Sequence, residues 1–421
     1  MNPTPTPPEN RLSGEAAVLS APLVLPNGQV LPNRIAKAAM SEQLAVRGQL
    51  PGDALRTLYE RWSQGGSGLL ITGHVMVDPG ALGEPSNVVV TDGTDLASLR
   101  AWARAARVGG SKVWMQLNHP GRQSPRTVTS RPVAPSEVPL QGLGPAFAPP
   151  RALSDGEIVG IIARFGAAAA VAREAGFDGV QLHAAHGYLA SQFLSPRTNR
   201  RTDRWGGSLE NRMRFLRELV RAVSPSRSRE FAVSVKLNSA DFQRGGFDDR
   251  DALEVLKALD AEGVDLYELS GGSYERAVMW EDRPPPQGST LDREAFFLTF
   301  ADDARKVTRT PLMVTGGFRT ARGMALAVRS GSVDLVGLAR PLALEPDLPA
   351  KILTGRADRA ARPSLKTGLR QLDALLEGGY HQHQLQRMGQ GKDPEVHPGI
   401  LGALSAAARS TLFSPRPGLA R

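Results

Sequence analysis

Residues 179–212 read GVQLHAAHGYLASQFLSPRTNRRTDRWGGSLENR. The run opens as an apolar strand, Gly179 to His183, and closes on a helix start where Ser208 stands as N-cap with Glu210 in the first turn. Between them lie His183, His186, Tyr188 and an Arg-rich polar loop. Three proton-handling side chains just past a strand end is the placement of catalytic groups at the mouth of an eight-stranded α/β barrel.

Outward from that stretch, strands and helices alternate. Strands are predicted at Arg34–Met40, Gly68–Gly73, Lys112–Leu117, Gly179–His183, Phe231–Leu237, Val264–Ser270, Pro311–Thr315 and Asp334–Leu338. Helical spacing fills the gaps near 53–64, 93–107, 154–175, 208–223, 249–262, 294–308 and 320–330. Serial βα units with right-handed crossovers close into a parallel (β/α)8 TIM barrel over residues 21–355. The segment PLVLPNGQVLPNR places two short apolar arms around Asn27-Gly28, a hairpin signal, and that hairpin is expected to plug the barrel floor. Residues 1–20, rich in proline and polar groups, are expected to be disordered. Residues 356–421 are expected to form a helical extension with a structural role or a contact between copies in a homo-oligomer. It carries a helical piece at Leu365–Leu376, then Gly378-Gly379, then His381 and His383, which are expected to be solvated.

Composition narrows the function. The chain has 421 residues, 41% of them hydrophobic, enough for a large core. It contains no cysteine, which removes disulfides, thiolate zinc sites and cysteine-held iron–sulfur clusters. No apolar run spans a membrane, the N-terminus lacks a signal-peptide core, and a soluble cytoplasmic protein is expected. The net charge of +9 is spread along the chain with no aromatic-interleaved basic motif. It fits phosphate-bearing cofactors better than nucleic acid.

Four groups of residues carry chemistry. After the seventh strand comes Thr315-Gly316-Gly317-Phe318-Arg319 and then a helix, and the eighth strand ends in Gly337-Leu338-Ala339-Arg340. Glycines admit an anion close to the backbone, and the loops after strands seven and eight are the usual phosphate seat of this barrel. This pairing points to a phosphorylated ligand such as FMN. Lys236, in VSVKLNSADF, is costly to bury without an anionic partner; it is either a Schiff-base lysine or a cation facing developing negative charge. Gln116 offers a donor and an acceptor together, suited to a pyrimidine-like edge, though a hydrogen-bonded core glutamine fits equally well. His183-x-x-His186 has no third ligand spaced around it for zinc; two donor imidazoles could instead polarise a carbonyl, with Tyr188 as general acid.

LPNRIAKAAM at strand one, QLNHPGR at strand three, the HAAHGYL–FLSPRTNRRTD–GGSLENR core, and GGFRT followed by DLVGLARP together resemble the old yellow enzyme family of flavin-dependent NAD(P)H:ene-reductases, from about residue 22 to 350. The resemblance implies non-covalent FMN, with Ala38, Ala39 and Met40 against the isoalloxazine and Gly73 beside the ring. It places Gln116 and Lys236 on the pyrimidine side and Gly317, Ala339 and Arg340 at the phosphate. It further implies that NADH or NADPH delivers hydride in a ping-pong cycle and that the substrate is an α,β-unsaturated carbonyl compound. His183 and His186 would grip its oxygen, and Tyr188 would donate the proton. Three departures stand out: Ser41 where some relatives carry a redox-tuning cysteine, Ala339 where many have glycine, and Lys236 where many have arginine, which loses the planar fork. A flavin amine dehydrogenase or demethylase on the same barrel, and a flavin-free phosphate-sugar lyase using Lys236, remain as alternatives.

Overall fold

The computed structural model describes residues 14–272, 275, 297–362 and 370–396, with single positions at 398, 402, 404 and 405. Eight parallel strands form the barrel: β1 Ile35–Lys37, β2 Leu69–Ile71, β3 Lys112–Asn118, β4 Gly179–Ala184, β5 Ala232–Asn238, β6 Leu266–Ser270, β7 Leu312–Thr315 and β8 Leu335–Leu338. Each pairs with the next in sequence, and β8 returns to β1 with Val336 opposite Ile35, so the ring has no free edge. All eight predicted strands are present, each shifted by at most a few residues at its ends.

Seven helices cover the outside: α1 Asp53–Gln64, α2 Leu96–Arg107, α3 Asp155–Glu174, α4 Leu209–Val223, α5 Asp249–Asp260, α6 Leu298–Val307 and α7 Ala321–Arg329. Their starts follow local chemistry. Ser154 and Glu157 form a reciprocal capping box on α3, and Ser208 accepts from Asn211 N–H at the head of α4. Alternation along each strand sends one set of side chains toward these helices and the other into the barrel. In β5, Val233, Val235 and Leu237 join the sheet–helix core, while Ala232 joins the inner layer with Trp114, Leu266, Met313 and Leu335.

The predicted hairpin is present, with Leu23–Val24 antiparallel to Val30–Leu31. Leu23, Leu25 and Leu31 pack on that inner layer, and Gln29 accepts from Trp114 Nε1–H at 3.0 Å while donating to the Asp178 carbonyl at 2.8 Å. The hairpin thereby covers the floor of the barrel.

Two expectations at the ends need correction. Residues 14–20, read as disordered, form the helix Gly14–Ser20, with Ala16 and Leu19 buried; residues 1–13 lie outside the described residues. Two apolar side chains with a groove to fill suffice to order a short segment whose composition is otherwise that of a tail. In the extension, a helix runs Arg370–Gly389 straight through Gly378-Gly379, and residues 363–369 lie outside the described residues. His381 on this helix is buried rather than solvated, because the helix packs against the barrel, and burial pulls the imidazole down to about 4. No helix among the described residues is long and apolar enough to cross a membrane.

Candidate active site

The inward residues of β3–β6 stack in register. Gln181 lies opposite Gln116 and Ser234, and one layer higher His183 lies opposite Lys236, which lies opposite Glu268. A continuous polar chain results. Gln116 Nε2 donates to Gln181 Oε1 at 2.7 Å, Gln181 Nε2 donates to Glu268 Oε2 at 2.9 Å, and Glu268 Oε1 makes an ion pair with Lys236 Nζ at 2.9 Å. The anionic partner that a buried lysine requires is therefore Glu268, itself wholly buried. Sequence reading identified Gln116 and Lys236 but not Gln181 or Glu268. The signal was available as polar side chains inside otherwise apolar strands, at Gln181 in GVQLHA and Glu268 in LYELS.

Above this chain sit the imidazoles. The rings of His183 and His186 are 5.1 Å apart, and Tyr188 lies 4.8 Å from His183, edge-on. Ala185 N–H donates to His183 Nδ1 at 3.3 Å, so the neutral ring carries its proton on Nε2. His186 adopts φ +60, uncommon for a non-glycine residue; its N–H donates to Asn238 Oδ1 at 3.1 Å and its Nε2 lies 2.8 Å from Ser270 Oγ. With Ser270 as donor, His186 carries its proton on Nδ1; with Ser270 as acceptor, on Nε2. Burial first, then the positive charge of Lys236 and the neighbouring imidazoles, hold both rings well below the usual histidine range. Both rings are thereby kept neutral. His186 is partly exposed, whereas His183 and Tyr188 are almost fully covered.

A third imidazole joins them that the sequence reading passed over. His74 follows Gly73, and its ring stands 5.3 Å from Tyr188 and 6.4 Å from His183. The strand-one side contributes a second buried group. Lys37 Nζ donates to Tyr59 Oη at 3.1 Å and lies 3.7 Å from Glu42, with Tyr59 donating to the same carboxylate. Burial, against the opposing pull of Glu42, brings Lys37 down to about 8. Gly73 N–H donates to Glu42 Oε1 at 2.8 Å, and a side chain at Gly73 would collide with that carboxylate and the Met40 carbonyl. Ala38 is buried against the inner layer, while Ala39 and Met40 are partly open at the rim.

On the opposite rim, β7 and β8 are neighbours, with Thr315 opposite Gly337, which brings Gly317, Ala339 and Arg340 to one corner. Gly316 and Gly317 take φ of +107 and +97, conformations that glycine supplies without strain. Thr315 Oγ1 is buried there with no partner among the described residues. An orphan hydroxyl, two open backbone positions and a guanidinium suit a phosphate, so the corner fits the tail of FMN. Arg340 also meets Glu377 of the Arg370–Gly389 helix, which ties the extension to this corner.

The long connection after β3 walls one side. Arg122 pairs with Glu275 at 2.5 Å, Gln141 N–H donates to the same carboxylate at 2.7 Å, and Arg201 of the polar loop donates to the Pro135 and Leu153 carbonyls at 3.0 and 2.6 Å.

The model of the NADH:flavin oxidoreductase / NADH oxidase family matches residues 19–359, and the chain belongs to that family. It is 40% identical over 357 residues to the NADH-dependent flavin oxidoreductase iliE of Hypocrea jecorina, covering 79% of this chain and 88% of the relative. Among solved structures, morphinone reductase in complex with tetrahydroNAD superposes with a TM-score of 0.68 at 28% identity, over 82% of this chain and 93% of that one. The old yellow enzyme homologue from Zymomonas mobilis gives a TM-score of 0.68 at 25% identity, over 82% and 94%. The resemblance read from the motifs therefore holds: the cofactor is FMN, and NAD(P)H is the electron donor.

Proposed function

We propose that this protein reduces activated C=C bonds of α,β-unsaturated carbonyl compounds in a ping-pong cycle, with one nicotinamide and one alkene using the same mouth in turn. The observation that carries this reading is the neutral imidazole couple, its rings 5.1 Å apart, with Tyr188 edge-on to His183 at 4.8 Å. Non-covalent FMN, when bound, supplies the hydride. Gly317, Ala339, Arg340 and the Thr315 hydroxyl would hold its phosphate. Ala38, Ala39, Met40 and Gly73 would lie along its ring, and Gln116 and Lys236 would face its pyrimidine side. His183 Nε2–H and His186 Nδ1–H donate to the substrate oxygen and draw charge from the alkene, which makes the β-carbon a hydride acceptor. Tyr188 gives its proton to the α-carbon. The ion pair with Glu268 at 2.9 Å favours Lys236 as an ammonium rather than a nucleophilic amine, which counts against the lyase reading.

The test is rapid mixing of the purified protein with NADH and with NADPH, followed by reoxidation with a panel of enones, imines and amines. Reoxidation by enones supports the reading. Bleaching of the flavin by amines, with no response of the reduced protein to any enone, would replace it with amine dehydrogenation. A colourless protein that borohydride links to a sugar phosphate would replace it with the lyase.

The phosphate corner has its own check. Arg340→Ala removes a charge-assisted contact of about 1.5–3 kcal/mol. FMN is therefore expected to leave roughly 10- to 100-fold more readily, read as flavin fluorescence released on dilution. Unchanged retention would move the phosphate away from Arg340.

A further inference from the structure

Tyr188 is held between two imidazoles. His183 stands edge-on to it at 4.8 Å, and His74 stands edge-on at 5.3 Å, with an interplanar angle of 76° in each case. His74 is itself tied down. Its Nε2 lies 2.8 Å from Glu84 Oε2, and the same oxygen accepts from Asn87 Nδ2 at 2.8 Å and from Ser41 Oγ at 3.0 Å. Asn87 Oδ1 in turn accepts Glu84 N–H at 2.7 Å, so the carboxylate cannot turn away. Burial would raise Glu84, but His74, Asn87 and Ser41 outweigh it and hold the carboxyl below its usual range. An ionised Glu84 obliges His74 to present Nε2–H.

The other ring nitrogen is the informative one. His74 Nδ1 lies 3.2 Å from Asn118 Nδ2, and Asn118 Oδ1 is buried with no partner among the described residues. As placed, the amide donates to a neutral imidazole. Both nitrogens of the ring are thus engaged, which fixes its orientation edge-on to Tyr188. The charged and titratable groups around it are Glu84, the imidazoles of His183 and His186, and the phenol of Tyr188.

We propose that Glu84 and His74 form a positioning pair for Tyr188, holding the phenol in place for the step in which Tyr188 protonates the substrate. This rests on the reading of Tyr188 as proton donor. In that step the Tyr188 O–H bond breaks, a C–H bond forms at the α-carbon of the hydride-reduced substrate, and one negative charge passes to the phenolic oxygen. Water then returns the proton. His74 neither touches the substrate nor gains or loses atoms in the step; it acts through Tyr188. Ser41 has its place in the same network, as the third donor to the carboxylate that fixes the pair.

The experiment uses the FMN-loaded full chain with two acceptors. An enone needs the proton. A nitroalkene does not, because its reduction product is a nitronate that leaves as a stable anion. His74→Asn keeps a donor for Glu84 but lacks the ring that packs against Tyr188. It is expected to slow enone reoxidation at least about tenfold, short of the ~100-fold or more that removing an acid outright costs, and to shift the pH profile of that step. Nitroalkene reoxidation and reduction by NADH should stay near wild type. Glu84→Gln is expected to act in the same direction and carries the test should His74→Asn fail to fold. Equal losses with both acceptors would reduce His74 to a packing role and overturn the proposal, as would an unchanged enone rate. Tyr188→Phe run alongside separates the two readings. Should that variant also leave the enone rate intact, the donor assignment falls. Should it alone slow the enone step, only the His74–Glu84 inference falls.

Discussion

Replacing Tyr188 with phenylalanine is expected to slow reoxidation of the reduced enzyme by an enone about 100- to 10,000-fold, the range in which a positioned general acid contributes. Reduction by NAD(P)H should change little, since no proton from the protein is needed there. The asymmetry follows from the geometry. Tyr188 begins the short helix Leu189–Leu194, with its ring gripped by His183 and His74, so the phenylalanine ring should occupy the same space and leave the flavin pocket unaltered. His183 and His186 would still bind the carbonyl, so KM should move less than kcat. Comparable losses in both half-reactions would mean that Tyr188 supports the pocket rather than the proton transfer.

The second large effect lies one layer deeper. Glu268 is fully buried, pairs with Lys236 at 2.9 Å and accepts from Gln181 at 2.9 Å. Glu268→Leu leaves the Lys236 ammonium without its counter-charge inside the barrel, a change that costs about 3–5 kcal/mol. Loss of the acceptor for Gln181 adds about 1–3 kcal/mol. Unfolding in urea should report a large drop in midpoint. The double change Glu268→Leu with Lys236→Met should recover much of it, because apolar groups of similar volume replace a buried pair at little net cost. A single variant within about 1 kcal/mol of wild type would show that water or another group solvates Lys236.

These two sites show how far sequence reading reaches. His183, His186 and Tyr188 lie within six residues of one another, so their convergence was visible as a local pattern past a strand end. The meeting of Gly317, Ala339 and Arg340 was legible for the same reason, since each half is a short strand-end motif and the barrel rule makes the two halves neighbours. Glu268 was not legible. Nothing near it in sequence names Lys236, and the pair exists because β5 and β6 meet in one register, Lys236 opposite Glu268. His74 was missed because one histidine beside a glycine carries no pattern; its meaning comes from Tyr188, more than a hundred residues onward, and from Glu84 across a loop. The extension was misread for a related reason. Gly378-Gly379 argues locally for a break, but packing on α1 and the contact of Glu377 with Arg340 outweigh the roughly 1 kcal/mol that each helical glycine costs.

The amino-acid sequence by itself determined the βα units, their order, the hairpin beneath them and the residues gathered at each strand's end. These depend on side-chain periodicity and on chemistry within a few residues. The tertiary structure alone decided which charges neutralise one another and which polar atoms are left over. The Lys236–Glu268 pair, the Glu84–His74 support behind Tyr188 and the helix Arg370–Gly389 laid against the phosphate corner all join segments far apart in the chain. Their energies arise only when closing the ring removes water from between them.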